Sequence, residues 1–232
     1  MKKFGVFILA VFCLFSCNTT DDLQTPVLTP QNIKLLALGD SYTIGASVCD
    51  DCRFPNQLVD SLALLKSEAD FSLKIIAQTG WTTTALINAI ANENLTNDYD
   101  LVTLLIGVNN QYQNRPFSLY ETEFPELVST AVASANGDAT KVIVVSIPDY
   151  AFTPFGQYSG NPETISEELN QYNAFAENYC NQENITFVYI TDITRQGLEN
   201  PNLLASDGLH PSELAYTAFV ERLLPLALTK IE

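Results

Sequence analysis

A serine, an aspartate and a solitary histidine hold the chemistry of this sequence. Ser41 stands in Leu38-Gly39-Asp40-Ser41-Tyr42-Thr43-Ile44-Gly45, just past an apolar run and on a turn that contains glycine. A serine hydroxyl is a poor nucleophile until a base takes its proton. The one histidine, His210, is the candidate base, in Ser206-Asp207-Gly208-Leu209-His210-Pro211. Asp207 precedes it by three residues, so a tight turn can set the carboxylate on the imidazole's other nitrogen, fixing its tautomer and stabilising the imidazolium. Pro211 suits the first turn of the helix that follows. Asp149 is a second candidate for the acid, but it lacks a fixed spacing to His210.

Charge that develops on a tetrahedral intermediate needs preorganised donors. Gln78-Thr79-Gly80-Trp81 and Gly107-Val108-Asn109-Asn110 each follow an apolar run. The Gly80 amide, the Asn109 side-chain NH2 and the amide of Ser41 itself would make a three-donor oxyanion hole. Taken singly, Gly80 reads as a turn residue and Asn109 as a turn former or helix cap. What singles them out is that they fall on the same rim as Ser41 and His210.

These residues can meet only if the runs before them lie side by side. Ile33–Leu38, Leu73–Ala77, Leu101–Ile106, Lys141–Ile147 and Thr186–Ile190 are short and mostly apolar, as strands covered on both faces are. Longer helical patterns lie between them at 54–67, 82–94, 118–135 and 163–183, and a last one follows Pro211. Five strand-then-helix units predict an α/β protein, a three-layer α/β/α sandwich with a five-stranded parallel sheet of flavodoxin-like type. Ligands of such sheets bind beyond the carboxyl ends of the strands, where Ser41, Gly80 and Asn109 all fall. No repeat or second low-complexity stretch interrupts 32–232, which reads as one domain. The aromatic-rich Pro148–Tyr158 after the fourth strand is read either as the wall of an acyl or sugar pocket or as a loop packed by its own rings. Trp81 carries the same two readings.

Against 27 Asp and Glu there are 11 Lys and Arg, a net charge of −16. Such a field repels phosphate backbones and anionic headgroups and argues against a nucleic-acid partner. The acids are scattered, which suits solubility and offers no metal cage. Met1-Lys2-Lys3 followed by the apolar Phe4–Phe15 reads as a signal peptide over 1–16, too short to span a bilayer. Leu14-Phe15-Ser16-Cys17 resembles a bacterial lipobox. That implies cleavage before Cys17, lipidation of its thiol, and export to the cell envelope with the lipid anchor as the sole hold on the membrane. Residues 17–31 are mostly polar, include Pro26 and Pro30, and read as a tether. Cys49-Asp50-Asp51-Cys52 has no second pair and no nearby histidine to complete a zinc site. A local Cys49–Cys52 disulfide is the expectation for an exported chain, with Cys180 left as a buried free thiol.

In chain order, Gly39-Asp40-Ser41, Gly80, Gly107-x-Asn109 and Asp207-x-x-His210 resemble the four sequence blocks of the SGNH/GDSL hydrolase family, across residues 38–211. The resemblance implies the SGNH hydrolase fold and ester hydrolysis through an acyl-enzyme. Ser41 would be the nucleophile, His210 the base, Asp207 its orienting acid, and Gly80 and Asn109 oxyanion donors, with no metal and no organic cofactor. The sequence departs from the family at Asn110, where Asp is usual, a change that bears on loop geometry and rate rather than on reaction class. The expected substrate is a small-molecule or glycan ester. Beside a general carboxylic ester hydrolase stand two alternatives: a carbohydrate O-acetyl esterase acting on polysaccharide, and a catalytically inactive surface-binding lipoprotein. The latter would be marked by loss of Ser41, His210 or an oxyanion donor, and none is lost.

Overall fold

The computed structural model describes residues 1–2, 30–158 and 160–232. The body of the expected signal peptide, Cys17 and all but the end of the expected tether lie outside the described residues. Strands β1 (Gln31–Gly39), β2 (Ala69–Ala77), β3 (Leu101–Leu105), β4 (Val142–Val145) and β5 (Thr186–Val188) form one sheet in the order β2-β1-β3-β4-β5. Every pairing is parallel. Between and after them come α1 (Ser41–Ile44), α2 (Phe54–Leu65), α3 (Thr83–Ala91), α4 (Val108–Tyr112), α5 (Phe117–Ser134), α6 (Pro154–Tyr158), α7 (Pro162–Gln182), α8 (Thr191–Thr194) and α9 (Glu213–Lys230).

The chain steps from β1 to one neighbour and then reverses across the sheet through β3, β4 and β5. With right-handed crossovers, that reversal puts α2 on one face and α3, α5 and α7 on the other. The contacts agree: α2 packs on α9, while α5 packs on both α3 and α7. The expected α/β/α sandwich is therefore the fold. Central β3 is buried at every residue. Full burial of one Leu or Val side chain contributes about 1.5–3 kcal/mol, so a charge placed at Leu104 would break the sheet where the site is built. The reversal between β1 and β3 also opens a crevice beyond their carboxyl ends, the usual ligand position in such sheets.

Strand boundaries differ from the expectation at β2, β4 and β5, and β1 starts two residues before Ile33. The strand β2 begins at Ala69, four positions before Leu73, because this edge strand alternates half-buried and exposed residues through Asp70 and Ser72. At the other edge, β4 and β5 stop early because the Ser146 hydroxyl takes over from the ladder, accepting from Ile190 N at 2.8 Å and Thr191 N at 3.2 Å. The helices α1, α4, α6 and α8 lie in stretches read as loops. Each has four or five residues, too few for a periodicity to show.

Candidate active site

The turn after β1 is built from close approach. A Cβ on Gly39 would stand 2.5 Å from the Leu105 carbonyl oxygen of β3, so only glycine lets the strands sit this near. Asp40 then caps α1, its Oδ1 accepting from Tyr42 N at 3.0 Å. Gly45 closes the helix in the left-handed region at φ 76°, donating to Ser41 O at 3.1 Å. Ser41 is thereby fixed as the first residue of a one-turn helix at the strand's carboxyl end, and it is nearly buried.

His210 arrives from the other end of the chain on a turn held by Asp207. Asp207 Oδ1 accepts from the backbone N–H of Leu209 and of His210, each at 3.0 Å. Gly208 takes φ 66° between them. Asp207 Oδ2 lies 2.6 Å from His210 Nδ1 and also accepts from Ser47 Oγ at 2.7 Å. Partial burial pushes the Asp207 carboxyl up, but the bonds from His210, Ser47 and the two backbone N–H groups outweigh it and hold it down at about 2. An ionised carboxylate only accepts, so Nδ1 carries the hydrogen and Nε2 is left as the acceptor nitrogen. The Tyr42 ring packs 5.3 Å from the imidazole and limits its tilt. No hydrogen bond joins Ser41 Oγ to His210 among the described residues; in ligand-free sites such bonds are often long and tighten with substrate.

The loops after β2 and β3 meet beside Ser41. Gly80 holds φ 85°, and a Cβ there would touch nothing within 4 Å, so backbone conformation rather than space selects glycine. Its carbonyl accepts from Gln113 Nε2 at 2.9 Å. Asn109, near the start of α4, spends one Nδ2 hydrogen on the Trp81 carbonyl at 3.0 Å and keeps the other.

Ser41, Gly80, Asn109 and His210 all line one cavity of about 210 Å3. Its apolar walls are Val108, Tyr112, Tyr150, Phe155 and Leu209. Tyr112 meets the Tyr150 ring edge-on at 5.9 Å and lies 5.9 Å from Phe155. Tyr150 donates its hydroxyl to Gln111 Oε1 at 2.8 Å, away from the reacting groups. Of the two readings of the loop after β4, both hold in part: Tyr150 and Phe155 wall the cavity, whereas Phe152 packs under Arg195 and Tyr158 is exposed. Trp81 packs against the core and does not line the cavity. Tyr112, Val108 and Leu209 were not singled out by the sequence; Tyr112 follows Asn109 by three residues on α4, which is the only local signal.

Asp149, the second candidate acid, is engaged elsewhere. It is fully buried, paired with Arg195 Nε at 3.0 Å, and accepts from Ser166 Oγ at 2.6 Å. Cys49 and Cys52 are joined in a disulfide, and Cys180 is buried and free, burial pushing its thiol up to about 12.

The fold recurs among solved hydrolases. An acetylxylan esterase from Geobacillus stearothermophilus is 19% identical, with a TM-score of 0.65 over 85% of this chain and 95% of that one. A lipase/acylhydrolase from Enterococcus faecalis is 19% identical, with a TM-score of 0.65 over 86% and 97%. An alpha/beta hydrolase from the metagenome of Lake Arreo, Spain, is 18% identical, with a TM-score of 0.64 over 88% and 98%. No curated protein matches the sequence. Residues 37–218 match the family described as GDSL-like lipase/acylhydrolase, a span holding Ser41, Gly80, Asn109, Asp207 and His210; the chain belongs to that family.

Proposed function

We propose that the protein is a serine esterase that hydrolyses carboxylic esters through an acyl-enzyme on Ser41. The observation that carries the reading is the single cavity shared by Ser41, Gly80, Asn109 and a His210 whose Nδ1 is 2.6 Å from Asp207. Ser41 Oγ attacks the ester carbonyl as His210 Nε2 takes its proton. The resulting oxyanion receives the N–H of Ser41, the N–H of Gly80 and the uncommitted Nδ2 hydrogen of Asn109. The imidazolium, stabilised by Asp207, returns the proton to the leaving alcohol, and a water molecule repeats the sequence to free the acid.

The cavity is smaller than the ~300–1,000 Å3 of usual ligand sites, which favours a short acyl group. Small size and aromatic walls also favour a second reading, a carbohydrate O-acetyl esterase, and one fold neighbour is an acetylxylan esterase. The leader and Leu14-Phe15-Ser16-Cys17 support an exported enzyme held to the envelope by a lipid on Cys17.

The test is a series of p-nitrophenyl acyl esters of rising chain length, with acetylated xylan alongside, assayed on wild type and Ser41→Ala. A fluorophosphonate probe should label wild type at Ser41, and Ser41→Ala should lose activity by several orders of magnitude. Labelling or turnover that survives Ser41→Ala would sink the reading.

A further inference from the structure

The two loops that carry Gly80 and Asn109 are tied together by a hydrogen-bond chain whose direction can be read. Asn110 and Thr83 are both fully buried at its centre. Thr83 N donates to Asn110 Oδ1 at 2.9 Å. A backbone N–H can only donate, so the amide oxygen must face it and the amide NH2 must face the Thr83 hydroxyl, to which it donates at 2.6 Å. The Thr83 hydroxyl has one proton, and it goes to Glu123 Oε2 on α5. Thr84 Oγ1 donates to the same carboxylate, 2.7 and 2.9 Å from its two oxygens. The chain therefore runs one way, from Asn110 through Thr83 to Glu123.

We infer that Asn110 and Glu123 are a matched pair of positioning residues that hold the oxyanion-donor loops in register through the Thr83 hydroxyl. This rests on the esterase reading above. Neither residue lines the reacting cavity; each acts through Thr83 on the loop that begins at Gly80 and on the α4 turn that holds Asn109.

The pairing explains why asparagine is accepted at 110. A carboxylate there could only accept, and would take the Thr83 proton for itself. Glu123 would then face a hydroxyl oxygen with no hydrogen to offer, two carboxylates competing for one proton. An amide at 123 would remove the conflict, because its NH2 could donate to Thr83 and the chain would run in the opposite direction. Charge thus moves from one end of the chain to the other, and the two positions must change together.

The experiment compares wild type, Asn110→Asp and the double variant Asn110→Asp/Glu123→Gln. It measures kcat and KM on p-nitrophenyl acetate, the rate of fluorophosphonate labelling, and the melting temperature. Misplaced donors cost transition-state stabilisation rather than binding, so Asn110→Asp should lower kcat about ten- to a hundredfold while KM changes little. The double variant should regain kcat to within about threefold of wild type, and its labelling rate should recover in step. An Asn110→Asp protein with wild-type kcat overturns the pairing. So does a double variant no more active than Asn110→Asp, including the case where the single variant fails to fold and the second change does not restore it. Wild type that neither labels nor turns over would overturn the esterase reading, and this role with it. Wild type that reacts while the double variant shows no rescue overturns the pairing alone.

Discussion

Replacing Asp40 by asparagine should stabilise the protein at neutral pH, and more so as the pH rises. The Asp40 side chain has no exposed surface; its Oδ1 accepts one backbone N–H and its Oδ2 has no partner among the described residues. Burial pushes its carboxyl from 3.8 up to about 7, with the Tyr42 N–H pulling the other way. The folded value lies above the unfolded one, so between about pH 4 and 7 the native protein holds a proton that the unfolded chain has released. Stability therefore falls as pH rises through that window and levels off above it. A shift of about three units at about 1.4 kcal/mol each gives a cost of about 4 kcal/mol by pH 8 but only about 1.5 kcal/mol at pH 5. Asparagine keeps the shape and the Oδ1 acceptor and carries no charge at either pH. For a chain of this length about 2.5 kcal/mol corresponds to a change in Tm of about 5–10 °C. The gap between Asp40→Asn and wild type, read by circular dichroism melts, should widen by that amount from pH 5 to pH 8. Melting curves that run parallel across the range, or a gap that narrows, would refute the reasoning.

Asp207→Asn should leave the protein folded while lowering kcat about ten-thousandfold, because an amide can neither hold the reactive tautomer nor stabilise the imidazolium. Because the Asp207 carboxyl is held down at about 2, its contribution to stability is present above pH 3.8 and should be lost only as pH falls towards 2, which acid melts of wild type against the variant would follow. Changing Cys49 and Cys52 together to serine removes the constraint on a very short loop and should cost about 2 kcal/mol, or about 4–8 °C in Tm; reductant should shift wild type the same way and leave the variant unmoved. If Cys17 is lipidated, native protein should enter the detergent phase on phase separation and Cys17→Ser should stay aqueous; native protein recovered with a free, unmodified amino terminus would refute the anchor.

The parts of the molecule legible in the sequence are those with local causes. The apolar runs of β1 and β3 announce strands covered on both faces. Once the strands are ordered, the rim rule alone brings Ser41, Gly80 and Asn109 to one side. The Asp207 turn is likewise legible because acid and imidazole are three residues apart. What stayed hidden depends on partners distant along the chain. Asp149 looked free to act as an acid, yet its partner Arg195 lies 46 residues away. The direction of the Asn110 chain depends on Glu123, which no spacing in the sequence ties to Thr83. The first half of β2 was hidden for another reason: an edge strand with one wet side shows only weak alternation.

The parallel sheet gives the molecule two unlike ends. Strand β1 enters at Gln31, is nine residues long and delivers the chain to Ser41 just past its opposite end, a climb of about 26 Å along the strand at the usual rise per residue. The chain upstream of Gln31 therefore leaves from the foot of the sheet, and the cavity opens at its head. For a lipid on Cys17, the fourteen residues to Gln31 reach at most about 50 Å when fully extended, nearly twice the climb of β1, so such a tether is long enough to let the body turn its mouth towards the headgroups or away from them. An anchor of this kind would cap how far the cavity can travel from the membrane without choosing between esters of the bilayer and acylated molecules on the solvent side.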